Sequence, residues 1–285
     1  MHALPFLLAL AGAAILAPSL LRTLADGGHV KVNYRGRALP FPFGVLTLAA
    51  ALLALIPLML LAVLASADVF HAEIWPVAVY ALGVLALGLI DDTFGERTHG
   101  SDEGERAAPR GWRGHGSAAL RGELSTGALK AAGSLGLALL AMSWLGLSDE
   151  RWLLAVGVLV LATNAFNLLD LRPGRSTKAF VLLGLGLGIG SGSPRQLWTL
   201  GLFAAPALVA GLYDLRERAM LGDTGANLLG ALAGLWLVLT LSGTGQLIAL
   251  ILLAALTVYG ELRSISGFVE RTPGLRHLDS LGRPA

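Results

Sequence analysis

The chain predicts an all-α, polytopic membrane helix bundle, and three observations predict it. Only 14% of its 285 residues are charged, where a soluble domain has roughly 25%, and 55% are hydrophobic. Mean hydropathy is +0.69. The apolar residues come in runs that approach the ~20 residues a membrane-crossing helix needs, and the charges gather between the runs. Together these predict one compact bundle over 1–285, with a polar loop at 91–127 and a polar tail at 263–285.

Nine spans are read in order, near 4–21, 43–65, 74–90, 128–147, 152–169, 179–190, 196–213, 226–241 and 246–262. The first resembles the apolar core of a secretion signal. Such a signal carries positive charge before its core, whereas here only His2 precedes the run and Arg22 follows it. It reads as an uncleaved helix with its N-terminus outside. The sixth run is short and rich in glycine, so it must either borrow flanking residues to cross or sit half-embedded.

Lys and Arg favour cytoplasmic loops. Alternating sides from an outside N-terminus places all of them except Arg151 and Arg195 in five segments on one side: 22–42, 91–130, 170–178, 214–225 and 263–285. That predicts nine spans and a cytoplasmic C-terminus. The 91–127 loop holds an acidic knot (101–106) and then G-W-R-G-H-G, with no apolar periodicity, so mobility is expected. The chain has no cysteine. This excludes disulfides, thiolate catalysis and cysteine-ligated metals. The basic residues follow the positive-inside pattern, so nucleic-acid binding has no support.

The polar residues that interrupt the runs are the candidate site. Asp91 and Asp92 end the third span; adjacent carboxylates at a membrane boundary repel each other and lose hydration, which a divalent cation relieves. A solvated helix end is the plainer reading. Asp223, in L-G-D-T-G-A-N, opens the eighth span. It reads either as an ordinary N-cap or as an acid at a glycine turn where backbone can approach phosphate. Asn164, Asn167 and Asp170 recur every three residues and share a helix face. They serve either interhelical hydrogen bonding or a ligand. Lys130 and Lys178, at the starts of the fourth and sixth spans, either snorkel or meet phosphate. His277 lies in the tail.

Taken together, carboxylates, carboxamides and lysines lie at the same-side ends of several spans. Mg²⁺ uses one or two carboxylates plus substrate phosphates, and phosphoryl transfer requires positioning and charge neutralisation. The inventory suits a Mg²⁺-dependent reaction on phosphate at the inner face. A transporter site would lie nearer the midplane, on broken helices.

The motif order resembles the polyprenyl-phosphate N-acetylhexosamine-1-phosphate transferase superfamily, which includes phospho-N-acetylmuramoyl-pentapeptide transferase. G-L-I-D-D looks like its aspartate pair, N-A-F-N-L-L-D its third motif and L-G-D-T-G-A-N-L-L-G its glycine-aspartate motif. R-G-R-A-L-P-F-P-F-G, with Pro40 and Gly44, looks like its first cytoplasmic loop. The resemblance implies attack of polyprenyl (undecaprenyl) phosphate on a UDP-amino sugar, with loss of UMP, in cell-envelope synthesis. It implies Mg²⁺ on Asp223 and catalytic roles for Asp91, Asp92 and Asp223. It implies substrate contacts from Asn164, Asn167, Asp170, Lys130 and His277; Arg175 and Lys178, outside the family pattern, are expected to contact substrate through their charge. UDP-sugar, polyprenyl phosphate and membrane lipid are the implied partners, with a homodimer as one assembly open to it. The third motif departs from the family: after Asp170 it reads L-R-P-G-R-S, with Pro173 where the family has a second aspartate. Arg172, Arg175 and Lys178 invert the local charge, which favours an anion. A non-catalytic membrane paralogue that binds lipid phosphate or envelope-synthesis partners is the alternative.

Overall fold

The computed structural model describes residues 1–95 and 126–284. Most of the 91–127 loop, with its acidic knot, lies outside the described residues.

Nine long helices make the bundle among those residues: α1 (Leu4–Asp26), α2 (Val45–Leu64), α3 (Ile74–Phe94), α4 (Thr126–Ser143), α5 (Asp149–Leu169), α6 (Arg175–Ser191), α7 (Arg195–Leu215), α8 (Gly222–Thr240) and α9 (Gly243–Leu262). Eight of them are long and apolar enough to cross a membrane. The exception is α6, the expected short span. It recruits Arg175–Lys178 as its first turn and reaches 17 residues, about 26 Å at 1.5 Å per residue. It still runs the length of the bundle. Gly174, just before it, packs on Leu215 at the end of α7, and its last turn shares a groove with Phe6 at the start of α1.

Successive helices therefore alternate direction. One end of the bundle collects Asp91, Lys130, Asp170, Asp214 and Asp223. The other collects the Glu73–Arg195 ion pair at 2.8 Å and a stacked His2–His71 pair. Outward faces are apolar, as with Ile56 and Val63 on α2 and Ile251 and Leu252 on α9, all exposed. That is the surface a lipid-embedded helix presents. The molecule is an all-α, multi-pass membrane bundle.

α8 is the axis. Every residue from Thr224 to Val238 is buried, because its sequence is apolar or small all round and leaves no polar stripe for solvent. Close approach depends on its glycines. A Cβ on Gly230 would sit 2.7 Å from the Ala162 carbonyl of α5, and one on Gly234 would sit 3.1 Å from Leu159 Cα. Small residues at such crossings allow dispersion contacts that hydrophobicity cannot supply in lipid. α3 closes on the start of α8 the same way: a Cβ on Gly88 would lie 2.5 Å from the Asp223 carbonyl.

Two features of the polar end were not read from sequence. The α1–α2 connection holds an antiparallel hairpin, β1 (Val30–Val32) with β2 (Ala38–Pro40). The tail holds α10 (Ile265–Arg271) and α11 (Pro273–Ser280). The hairpin is fastened by Glu217, whose buried carboxylate accepts from Tyr34 Oη (3.0 Å) and pairs with Arg35 (3.3 Å). Backbone bonds from Phe43 N to the Met220 carbonyl (2.8 Å) and Met220 N to the Pro40 carbonyl (2.9 Å) complete the junction.

Candidate active site

Three helix ends converge on one ammonium group. Lys130, in the second turn of α4, donates to Asp91 Oδ2 at 2.9 Å and to Asp223 Oδ2. Asp91 comes from the last turn of α3 and Asp223 from the first turn of α8. All three side chains are mostly enclosed, at 19–30% exposure. The lysine stands where a cation would stand between two carboxylates. Mg²⁺ needs no more than one or two carboxylates when phosphates complete its shell, so Asp91 and Asp223 fit it. No three acidic or imidazole side chains converge to hold a metal alone among the described residues.

Asp92 does different work from its neighbour. Its Oδ1 accepts from Asp223 N (2.9 Å), and its Oδ2 accepts from Thr224 N (2.8 Å) and Thr224 Oγ1 (2.6 Å). These are orphan donors at the start of α8, whose own N-cap residue, Leu221, has no side-chain cap. Asp92 is thus the N-cap of α8, supplied from another helix, and its charge complements the helix dipole. Asp223 is not an N-cap, and its carboxylate is left for Lys130.

A cavity of about 290 Å³ opens beside Asp223 on the hairpin side. Asp92, Asp170, Asp214 and Asp223 line it, with Arg172, Tyr34 and Lys31 opposite. Arg172 lies over the Tyr34 ring at 4.5 Å. Asp170 caps the end of α5 and accepts from Ser176 Oγ at 2.6 Å. Burial, and then the charge of Asp214, push its carboxyl well above the usual range. Asp214 is buried and bridges two loops, accepting from Gly174 N (2.7 Å) and Leu221 N (3.3 Å). Gly174 has φ +71°, and a Cβ there would meet Leu215 Cβ at 2.8 Å. Glycine is required at this position by both conformation and space.

A second cavity, about 250 Å³, lies deeper between α4, α5, α8 and α9. Lys130, Asn164 and Asn167 line it together with Asn227. Asn164 Nδ2 reaches Thr257 Oγ1 at 3.5 Å, so the interhelical role open to it is present in weak form.

Arg175 and Lys178 of the third motif are engaged by the tail, while Arg172 stays in the cavity wall. Arg175 donates to both oxygens of Asp279 in α11, at 2.9 and 3.0 Å, and to Ser266 at 3.1 Å. Lys178 donates to the Leu278 carbonyl at 3.0 Å and to that of Asp279. Arg172 reaches Glu270 at 3.2 Å. His277 is exposed on α11 and lines neither cavity. Arg175, Lys178 and His277 were expected to meet substrate. Here the first two hold the tail, because α11 presents its carbonyl end and Asp279 to them.

Sequence reasoning missed Thr224, Asp214, Asn227 and Tyr34. Asn227 carried a signal, being four residues after Asp223 and so on its helix face. The hairpin and Asp214 carried none, since their partners lie far along the chain. A scan against protein-family models and a search of curated proteins return no match to this chain.

Proposed function

We propose that this protein is a Mg²⁺-dependent sugar-1-phosphate transferase, acting on a UDP-amino sugar and polyprenyl phosphate at the cytoplasmic face of the plasma membrane. The observation that carries the reading is the meeting of Asp91, Lys130 and Asp223 from three separate helix ends, in the motif order that resembles the transferase superfamily.

In this reading a phosphate oxygen of the lipid attacks the β-phosphorus of the donor, the bond to the UMP oxygen breaks, and UMP departs with the electron pair. Asp91 and Asp223 hold the cation, which when bound would offset charge on the pyrophosphate. Lys130 then turns from the carboxylates to phosphate. Asp92 fixes where Asp223 stands and is a positioning residue. Asp170, Arg172 and Tyr34 face the charged cavity and would take the nucleotide side.

The test is UMP release across a panel of UDP-sugars with polyprenyl phosphate and Mg²⁺. Turnover is expected with at least one donor. Asp91→Asn and Asp223→Asn are each expected to lower it about 100-fold or more, as loss of a charge-stabilising group does, with the bundle still folded. No turnover with any donor, in an assay where a related transferase works, would count against the reading.

One observation favours the alternative of a membrane protein without turnover. Arg175 and Lys178, cations that follow Pro173 where the family has little positive charge, are bound by the protein's own tail. A Mg²⁺ titration of thermal stability separates the two. A shift abolished by Asp223→Asn supports the enzyme, and indifference to Mg²⁺ supports the alternative.

A further inference from the structure

The two cavities on either side of the Lys130–Asp223 pair differ in chemistry. The hairpin-side cavity has a mixed wall, four carboxylates with Lys31 and Arg172. Among the described residues no carboxylate lines the deeper one, whose polar wall consists of an ammonium, carboxamides and hydroxyls. Most of those groups already have partners. Thr163 Oγ1 donates to the Leu159 carbonyl (2.9 Å) and meets Tyr80 Oη (3.0 Å), and Thr257 takes the Asn164 amide. Asn227 is different. It is 1% exposed, and its Nδ2 has no hydrogen-bond partner among the described residues. An amide N–H₂ buried without an acceptor is destabilising, so its retention on the most buried helix asks for a reason.

We propose that this inner cavity is an anion site for a phosphate monoester, with Asn227 Nδ2 as its fixed donor and Lys130 as its movable one. Asn227 stands one turn deeper than Asp223 on the same face of α8, so an anion there lies beside the cation position and apart from the nucleotide-side cavity. At about 250 Å³ the space takes a phosphate group and a few waters, each ~30 Å³, but not a nucleotide sugar. Lys130 is held by Asp91 and Asp223. A divalent cation on those carboxylates releases it toward the cavity, so cation and anion reinforce each other's binding. The phosphate comes from a lipid head group or from free phosphate. Only the choice of a lipid carrier rests on the transferase reading.

The experiment is calorimetric titration of the purified full chain in detergent with inorganic phosphate, geranyl phosphate and geraniol, each with and without Mg²⁺. Phosphate monoester is expected to bind, and to bind more tightly with Mg²⁺; geraniol is not. Tighter binding of geranyl phosphate than of inorganic phosphate assigns a lipid head group, and equal binding assigns free phosphate; both support the site. Asn227→Leu removes the donor at similar volume and is expected to weaken phosphate binding about tenfold or more. The unliganded protein should melt no lower, since an unpaired amide is gone. If that variant does not fold, Ser134→Leu fills the cavity from α4 and should give the same loss. Unchanged binding in the folded variant, equal binding of geraniol, or no effect of Mg²⁺ overturns the proposal. Phosphate binding that depends on Asn227 in a chain without UMP release leaves this site standing and removes the transferase. UMP release with an unchanged KM for prenyl phosphate in Asn227→Leu does the reverse.

Discussion

Asp91 and Asp92 are neighbours with separate tasks, because a helix turns 100° between them. One carboxylate faces Lys130. The other takes three donors at the start of α8. Replacing Asp92 by Ala leaves those donors without a partner and is expected to cost about 0.5–2 kcal/mol, the usual value of a cap. Asp92→Asn keeps one acceptor oxygen and should lose less. Thermal unfolding in detergent checks the order wild type, Asn, Ala; equal losses in the two variants would mean that capping is not what Asp92 supplies.

Packing of whole elements decides where the site groups stand. Gly88 lets α3 touch the first turn of α8, so Asp91 and Asp223 reach one lysine. In Gly88→Ala the new Cβ would press on the Asp223 carbonyl at 2.5 Å, and overpacking of this kind costs about 1–3 kcal/mol. A lower melting temperature and a weaker Mg²⁺ response are expected together. The tail is a second element-scale device. Asp279 is shared by Arg175 and Arg283. Burial opposes its charge, but hydrogen bonds first from Arg175 and then from Arg283 outweigh this and hold the carboxyl below the usual range. A depressed carboxyl stabilises above its unfolded value, near 4, and that contribution is lost as pH falls through the folded value. Protection of the α11 amides, taken relative to the intrinsic exchange rate at each pH, should therefore be high at neutral pH and fall below about pH 4. Asp279→Asn should be weakly protected at both. Protection unchanged in that variant would remove the ion pair from the account.

At the scale of the whole molecule, the basic residues mark one end of the bundle, and the positive-inside rule predicts that this end faces the cytoplasm. The chain has no cysteine, so single-cysteine labelling needs no background removal. Ser193→Cys, between α6 and α7, is expected to react with an impermeant maleimide in intact cells. Ser280→Cys, in α11, is expected to react only after permeabilisation. The opposite pattern would place the site outside and remove the inner-face reaction.

Much of this architecture was legible in the chain. Apolar runs set helix number and length because lipid requires each backbone to satisfy its own hydrogen bonds, and glycine with aspartate marked the opening of α8. Asp91, Lys130 and Asp223 could be picked singly, since polar groups at the ends of apolar runs are costly without a use. Their convergence could not be read, nor could Asp92 as a cap, because both depend on how α3, α4 and α8 cross. The hairpin under Glu217, the tail across Arg175 and Lys178, and the unpaired amide of Asn227 were likewise decided only in three dimensions. The physical reason is the same for each. A run of apolar residues selects a helix through local backbone energetics, whereas which polar atoms share a cavity is set by packing between segments far apart in sequence.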